Sequence, residues 1–204
     1  MYYEELSPAV FTVIYGRFLR NERLVRLLTC YNRKVSPYLD PSFNEEMERI
    51  GGVNNLVYTG QDLDKCVDIH IYPLEHIPDA KLDQKTYITV TLNGGYTTGV
   101  PQYKNVILCV DVVVHDEQSV ILSDNPDYQI AYRLYDIVHE IDKVLNDKTL
   151  DKLSPGRASL IGFQRRYYNG YFNGLQLQYQ YTLPNLIGCD GGATNLIPNF
   201  VIKD

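Results

Sequence analysis

The chain reads as an α+β protein: a small, mostly antiparallel sheet with one long amphipathic helix packed on it, an N-terminal helix, and extended loops or arms. Three observations predict this. Two β-rich runs, 87–92 (YITVTL) and 105–115 (NVILCVDVVVH), follow one another across a Gly-containing connection. One apolar stripe at helical spacing comes next: Ile130, Leu134, Ile137, Val138, Ile141 and Leu145. Finally Leu175, Leu177, Tyr179 and Tyr181 alternate with Gln176, Gln178 and Gln180. That is the period of a strand with one apolar face and one uncharged amide face.

The elements can be justified in chain order. Ser7-Pro8 predicts a helix start, with Ser as cap and Pro in the first turn. Val10, Phe11, Ile14 and Phe18, then Leu24, Leu27 and Leu28, predict one long or two abutting helices over 8–30, broken near Asn21. Residues 32–66 read as irregular, punctuated by Pro37, Pro41, Gly51, Gly52 and Gly60, with a helical piece at 43–50. A short strand is expected at 67–72, ended by Pro73. Asn93-Gly94-Gly95 supplies turn chemistry, and 96–104 reads as an extended hairpin tip. The near-continuous apolar run 106–114 predicts cover on both faces, by a helix on one side and by sheet or a neighbouring subunit on the other. Asn125-Pro126 predicts a capped helix over 126–146. Strands at 159–168 and 175–181 are joined across 169–174, where Asn-Gly occurs twice. The segments are therefore 1–31, an N-terminal helical part; 32–66, an irregular insertion; 67–183, the α+β core; and 184–204, a C-terminal arm.

Composition narrows the function. The chain has 204 residues and a net charge of −6, so it lacks the clustered basic surface that tight wrapping of nucleic acid requires. It contains no apolar run of membrane-spanning length and no secretory leader pattern. Eighteen Tyr against no Trp favour surfaces that are alternately wet and covered. Cys30, Cys66, Cys109 and Cys189 are widely spaced and read as free thiols rather than a zinc ribbon.

Catalytic patterns are weak. His139-Glu140 begins like a zinc helix, but Lys143 occupies the second ligand position, and Glu140 and Asp142 are expected on the wet face. His70, His76 and His115 are a metal set only if the fold gathers them, and an enzyme using His70 and His115 is the remote alternative. Asp62, Asp64 and Asp68 lack the pattern of a calcium loop. No catalytic residue, metal site or cofactor is expected. Arg17, Arg20, Arg23 and Arg26 recur every three residues and read as a solvated helix face or a docking stripe. Arg165 and Arg166 fall on opposite strand faces.

The order of elements resembles the tail terminator and tail-completion proteins of tailed bacteriophages, with the related neck-ring proteins. The features that carry it are TYITVTLNGG, NVILCVDVVVH, IAYRLYDIVHEIDKVL, RASLIGFQRRYY and GLQLQYQYT, roughly 85–182. The resemblance implies a non-enzymatic virion protein, assembled in the host cytoplasm into a homo-oligomeric ring of six or twelve subunits. Such a ring joins portal or neck proteins to tail proteins and passes DNA through its channel without sequence-specific binding. The segments 32–66 and 184–204 depart from the short members of that family. The expected interface residues are Gln176, Gln178, Gln180, Tyr179, Arg165, Arg166, Tyr96, Tyr103, Arg17 and Arg20. A tail-tube or baseplate-adaptor subunit, or a binding module that forms no ring, are the alternatives.

Overall fold

A computed structural model describes residues 6–61, 67–76, 85–97, 103–127, 129–150, 154 and 156–184. Its centre is a five-stranded sheet in the order β1 (Ile71–Tyr72), β2 (Tyr87–Thr97), β3 (Tyr103–His115), β7 (Phe172–Pro184), β6 (Ser159–Asn169). Only the β1–β2 pair is parallel. A separate two-stranded ribbon pairs β4 (Val120–Leu122) with β5 (Ile130–Tyr132). The α+β class expected from the sequence is the one observed.

Helices cover one face of the sheet. Helix α1 (Leu6–Val13) runs into a π-helical turn, Ile14–Phe18, and then breaks. Asn21 caps α2 (Glu22–Thr29): its side-chain oxygen accepts from the Leu24 N–H at 3.3 Å. The expected break therefore lies where the capping residue sits. Ser7 falls inside α1 rather than ahead of it. The short helix α3 (Phe43–Ile50) is where the sequence predicts it, and it ends on Gly51 in the left-handed conformation, φ +83°.

One core binds these elements. Val106, Leu108, Val110, Val112 and Val114 alternate onto the helical face of β3, beside Leu177, Tyr179, Tyr181 and Leu183 of β7. They meet Val13, Ile14 and Phe18, Leu24, Leu27 and Leu28 of α2, and Ile137, Ile141 and Leu145 of α4 (Arg133–Leu145). Phe43, Ile50, Leu56 and Val57, from the stretch expected as an irregular insertion, bury their side chains in the same core.

Four expectations differ from the structure. The capped helix at 126–146 is shorter: α4 starts at Arg133, and no side chain caps it. Ile130–Tyr132 pair instead with Val120–Leu122, so strand pairing takes the residues that begin the helical stripe. Asn125 turns the chain locally, its side-chain oxygen accepting from the Asp127 N–H at 2.9 Å. Asn93-Gly94-Gly95 is not a hairpin turn. Strand β2 runs through it, with one extra residue between the Leu92↔Leu108 and Gly95↔Val106 pairs. That is a β-bulge, with Gly94 at φ +134° and no room at Gly95, where a Cβ would lie 2.6 Å from the Asn105 carbonyl oxygen. The expected strand at 67–72 is only Ile71–Tyr72. The closing hairpin uses just the first Asn-Gly: Asn169 pairs with Phe172, and Gly174 lies within β7 against the Tyr168 ring.

Two buried charged side chains tie the helical layer together. Arg133 donates to the carbonyls of Leu27, of Cys30 (2.9 Å) and of Gln118 (2.9 Å). It therefore satisfies the C-terminal end of α2, where a cation suits the helix dipole. Glu140, expected on the wet face of α4, is instead 2 % exposed. It accepts from the Asn21 amide at 2.9 Å and from Arg23 Nε at 3.2 Å. Residue 140 follows Ile137 by three and precedes Ile141 by one, so it borders the apolar stripe, and α2 closes over it. Asp142 is half-buried and accepts from the Tyr179 hydroxyl at 3.0 Å.

Candidate protein–protein interface

The sheet ends on an open strand. In the register, Phe163 sits opposite Leu177 and Arg165 opposite Leu175, so both lie on the helix-side face of the sheet. Leu177 is in the core, yet Phe163 next to it is 71 % exposed and Tyr167 is 74 % exposed. Helix α4 lies over β3 and β7; of β6, Leu160 still packs against the core while Phe163 and Tyr167 stay exposed. A bulge between Leu160 and Gly162 also leaves Ile161 partly exposed. Arg165 lies 5.4 Å from the Tyr167 ring and extends this aromatic surface with a charge. Among the described residues no strand pairs with the outer side of β6. Beyond Leu160, whose N–H donates to the Asn146 side-chain oxygen at 3.3 Å, this edge strand with its aromatic side chains is a template for another strand.

The glutamine face lies on the other side of the sheet and is an internal polar net. Asp111, at the centre of β3, is 6 % exposed. It accepts from the Gln176 amide at 2.9 Å and from the Thr89 hydroxyl at 3.2 Å, and Arg166 stands 3.7 Å away. Gln164 and Gln178 both donate to the Gln176 side-chain oxygen, at 2.8 and 3.1 Å. Burial pushes the Asp111 carboxyl above its ordinary range, while Gln176, Arg166 and Thr89 pull it back. Gln176 is thus held within the subunit. A Gln176→Glu exchange would set a second carboxylate against Asp111 and disturb folding before assembly. On the second face of the 106–114 run, Asp111 is taken up by this net, and Val113 packs in a smaller aromatic cluster with Ile69, Tyr72, Tyr87 and Phe172.

The other expected interface residues separate into two groups. Tyr179 is fully buried in the core. Arg17 is half-buried and donates to the Thr149 carbonyl at 2.8 Å. Arg23 stacks on Tyr38 and pairs with Asp124, and Arg26 stacks on Phe43 and pairs with Glu22. Most of the arginine stripe is therefore engaged inside the fold, and Arg20 stays exposed. On the surface lie Tyr96, Tyr103, Arg165 and Arg166; Tyr96 donates to the Gln180 side-chain oxygen at 3.0 Å, and Gln178 and Gln180 are half-buried. Arg165 and Arg166 do occupy opposite faces. Phe163 and Tyr167 are the residues sequence reasoning missed. The signal was present: an aromatic at every fourth position of a strand whose neighbours are Arg and Gln.

The histidines serve structure. His70 is buried, and its Nδ1–H donates to the Thr86 carbonyl at 2.7 Å. His76 stacks on Tyr72 at 3.9 Å, and His115 packs edge-on to Phe172 at 5.0 Å. Among the described residues no three metal-ligating side chains converge. Asp68 pairs with Arg49, while Asp62 and Asp64 lie outside the described residues. Cys30 and Cys109 are buried free thiols, and Cys66 and Cys189 lie outside the described residues.

Burial holds His70 well below its ordinary value, at about 4. A depressed folded value means that protonation favours the unfolded chain. The contribution is intact above pH 6.5 and is lost as pH falls through 4. We expect urea stability to fall by up to about 3 kcal/mol across that window, and the fall to shrink in His70→Gln. An unchanged slope in His70→Gln would assign the acid sensitivity elsewhere.

Fold and surface together define an α+β protein whose central sheet ends on an exposed edge strand. A family model matches residues 21–181, and the chain belongs to the YomW family. The match runs from the cap of α2 nearly to the end of β7. The family name is that of a Bacillus phage-derived protein and supports a phage association. No curated protein matches the chain. Among the described residues no helix is long and apolar enough to cross a membrane.

Proposed function

We propose that the protein is a structural virion subunit that assembles into a closed ring at the phage head–tail junction. The ring links portal or neck proteins to the tail and surrounds the DNA channel. The observation that carries this reading is the open edge of β6, with Phe163 and Tyr167 exposed on a face that elsewhere is core. A surface of this kind is a liability on a monomer and an asset in an assembly. A single edge pairing with a different surface of the next copy is a heterologous contact, and such contacts close into rings when the rotation permits. The net charge of −6 suits a channel wall that DNA passes without being held.

Electron microscopy of the phage particle tests the position. The expected result is density for this fold in a six- or twelve-fold ring between head and tail. Density along the tail tube or in the baseplate would overturn the assignment to the neck.

A further inference from the structure

The occupant of the β6 edge must bring a strand and apolar side chains. The chain itself contains such a segment beyond β7. Residues 185–204 read NLIGCDGGATNLIPNFVIKD, a glycine-bearing stretch followed by Leu196, Ile197, Pro198, Asn199, Phe200, Val201 and Ile202. After Pro198, residues 199–203 have the length of an ordinary strand. Phe200 and Ile202 would fall on one face of such a strand, the face to lay over Phe163, with Ile161 exposed at the bulge beside it. Proline at the start of an edge strand removes no ladder bond.

We propose that residues 199–203 of one copy add as an outer strand to β6 of the next copy, with Phe200 and Ile202 covering Phe163. This rests on the ring reading and names the partner surface of the same site. Reach permits it: fourteen residues, 185–198, separate Pro184 from the strand and span up to about 45 Å extended. β7 ends at Pro184, at the end of the sheet where β6 begins. A segment folding straight back onto its own β6 would run parallel to it, and to run antiparallel there it would first have to use most of its linker crossing the eleven residues of β6. A segment from another copy carries neither constraint and is free to form the antiparallel ladder, the stabler one.

The test uses the full-length chain with a benzophenone amino acid in place of Phe163, mixed with heavy-isotope-labelled chain and irradiated. The expected product is a covalent dimer of mixed isotope content, with the cross-link mapped to residues 196–203 by mass spectrometry and lost in Phe200→Asp. A cross-link within one chain, a cross-link to another surface, or none overturns the proposal. The native mass of the unmodified protein is read in parallel. A ring whose Phe163 cross-links elsewhere overturns the arm docking alone. A monomer overturns the ring reading, and the arm proposal with it.

Discussion

Arg133→Met is expected to lower the stability of the fold by about 3 kcal/mol, roughly 10 °C in Tm for a chain of this size. Arg133 is 2 % exposed, and its guanidinium reaches three carbonyls on two segments, Leu27 and Cys30 at the end of α2 and Gln118 before β4. Methionine keeps the stem and its packing but leaves these acceptors without their donor. Hydrogen bonds to a charged group contribute about 1.5–3 kcal/mol each, and a buried acceptor left bare costs about 1–3 kcal/mol. Against this stands relief from burying a cation. Burial pushes the Arg133 guanidinium below its ordinary value, and the three acceptors it meets are neutral carbonyls. The opposing terms leave a net loss well short of the sum of three bonds. Urea unfolding followed by tyrosine fluorescence reads the effect. A loss below about 0.5 kcal/mol would mean that the latch between α2 and α4 is not a structural one.

Phe163→Asp combined with Tyr167→Asp is expected to abolish assembly while leaving the monomer fold intact. Both side chains stand more than two-thirds exposed, so their replacement costs the isolated subunit no more than about 0.5 kcal/mol. In an assembled seam the same changes would bury two carboxylates against an apolar surface, a cost of several kcal/mol per contact. Sedimentation gives the assembly state, and thermal unfolding of the separated monomer gives the fold. Retained assembly would remove the β6 edge from the interface. Assembly lost together with a collapse in Tm would show that Phe163 and Tyr167 belong to the fold after all.

The layout of the core was legible from periodicity. The 106–114 run, the α4 stripe and the Leu/Tyr–Gln alternation each name a face, and each face lies where the period puts it. What misled was local chemistry that two structures share. Asn-Gly-Gly suits a hairpin turn and a bulge equally well, and only the length of β3 decides between them. Asn125-Pro126 suits a helix start, but the β4–β5 ribbon claims the residues that follow. Glu140 looks solvated because carboxylates usually are; its burial depends on Asn21 and Arg23, more than a hundred residues away. The candidate interface was half legible. The glutamines drew attention because a neutral polar face is unusual, and Asp111 explains them from within the subunit. The exposure of Phe163 and Tyr167 follows from β6 being the edge strand, a strand order that the sequence alone does not show.

The ring itself is most directly tested by native mass spectrometry of the purified, full-length protein across a concentration series at physiological salt. A ring gives one closed species of six or twelve copies that dissociates without a ladder of open intermediates, as a cyclic heterologous assembly does. A monomer at every concentration, or a series of open-ended oligomers growing with concentration, would contradict it.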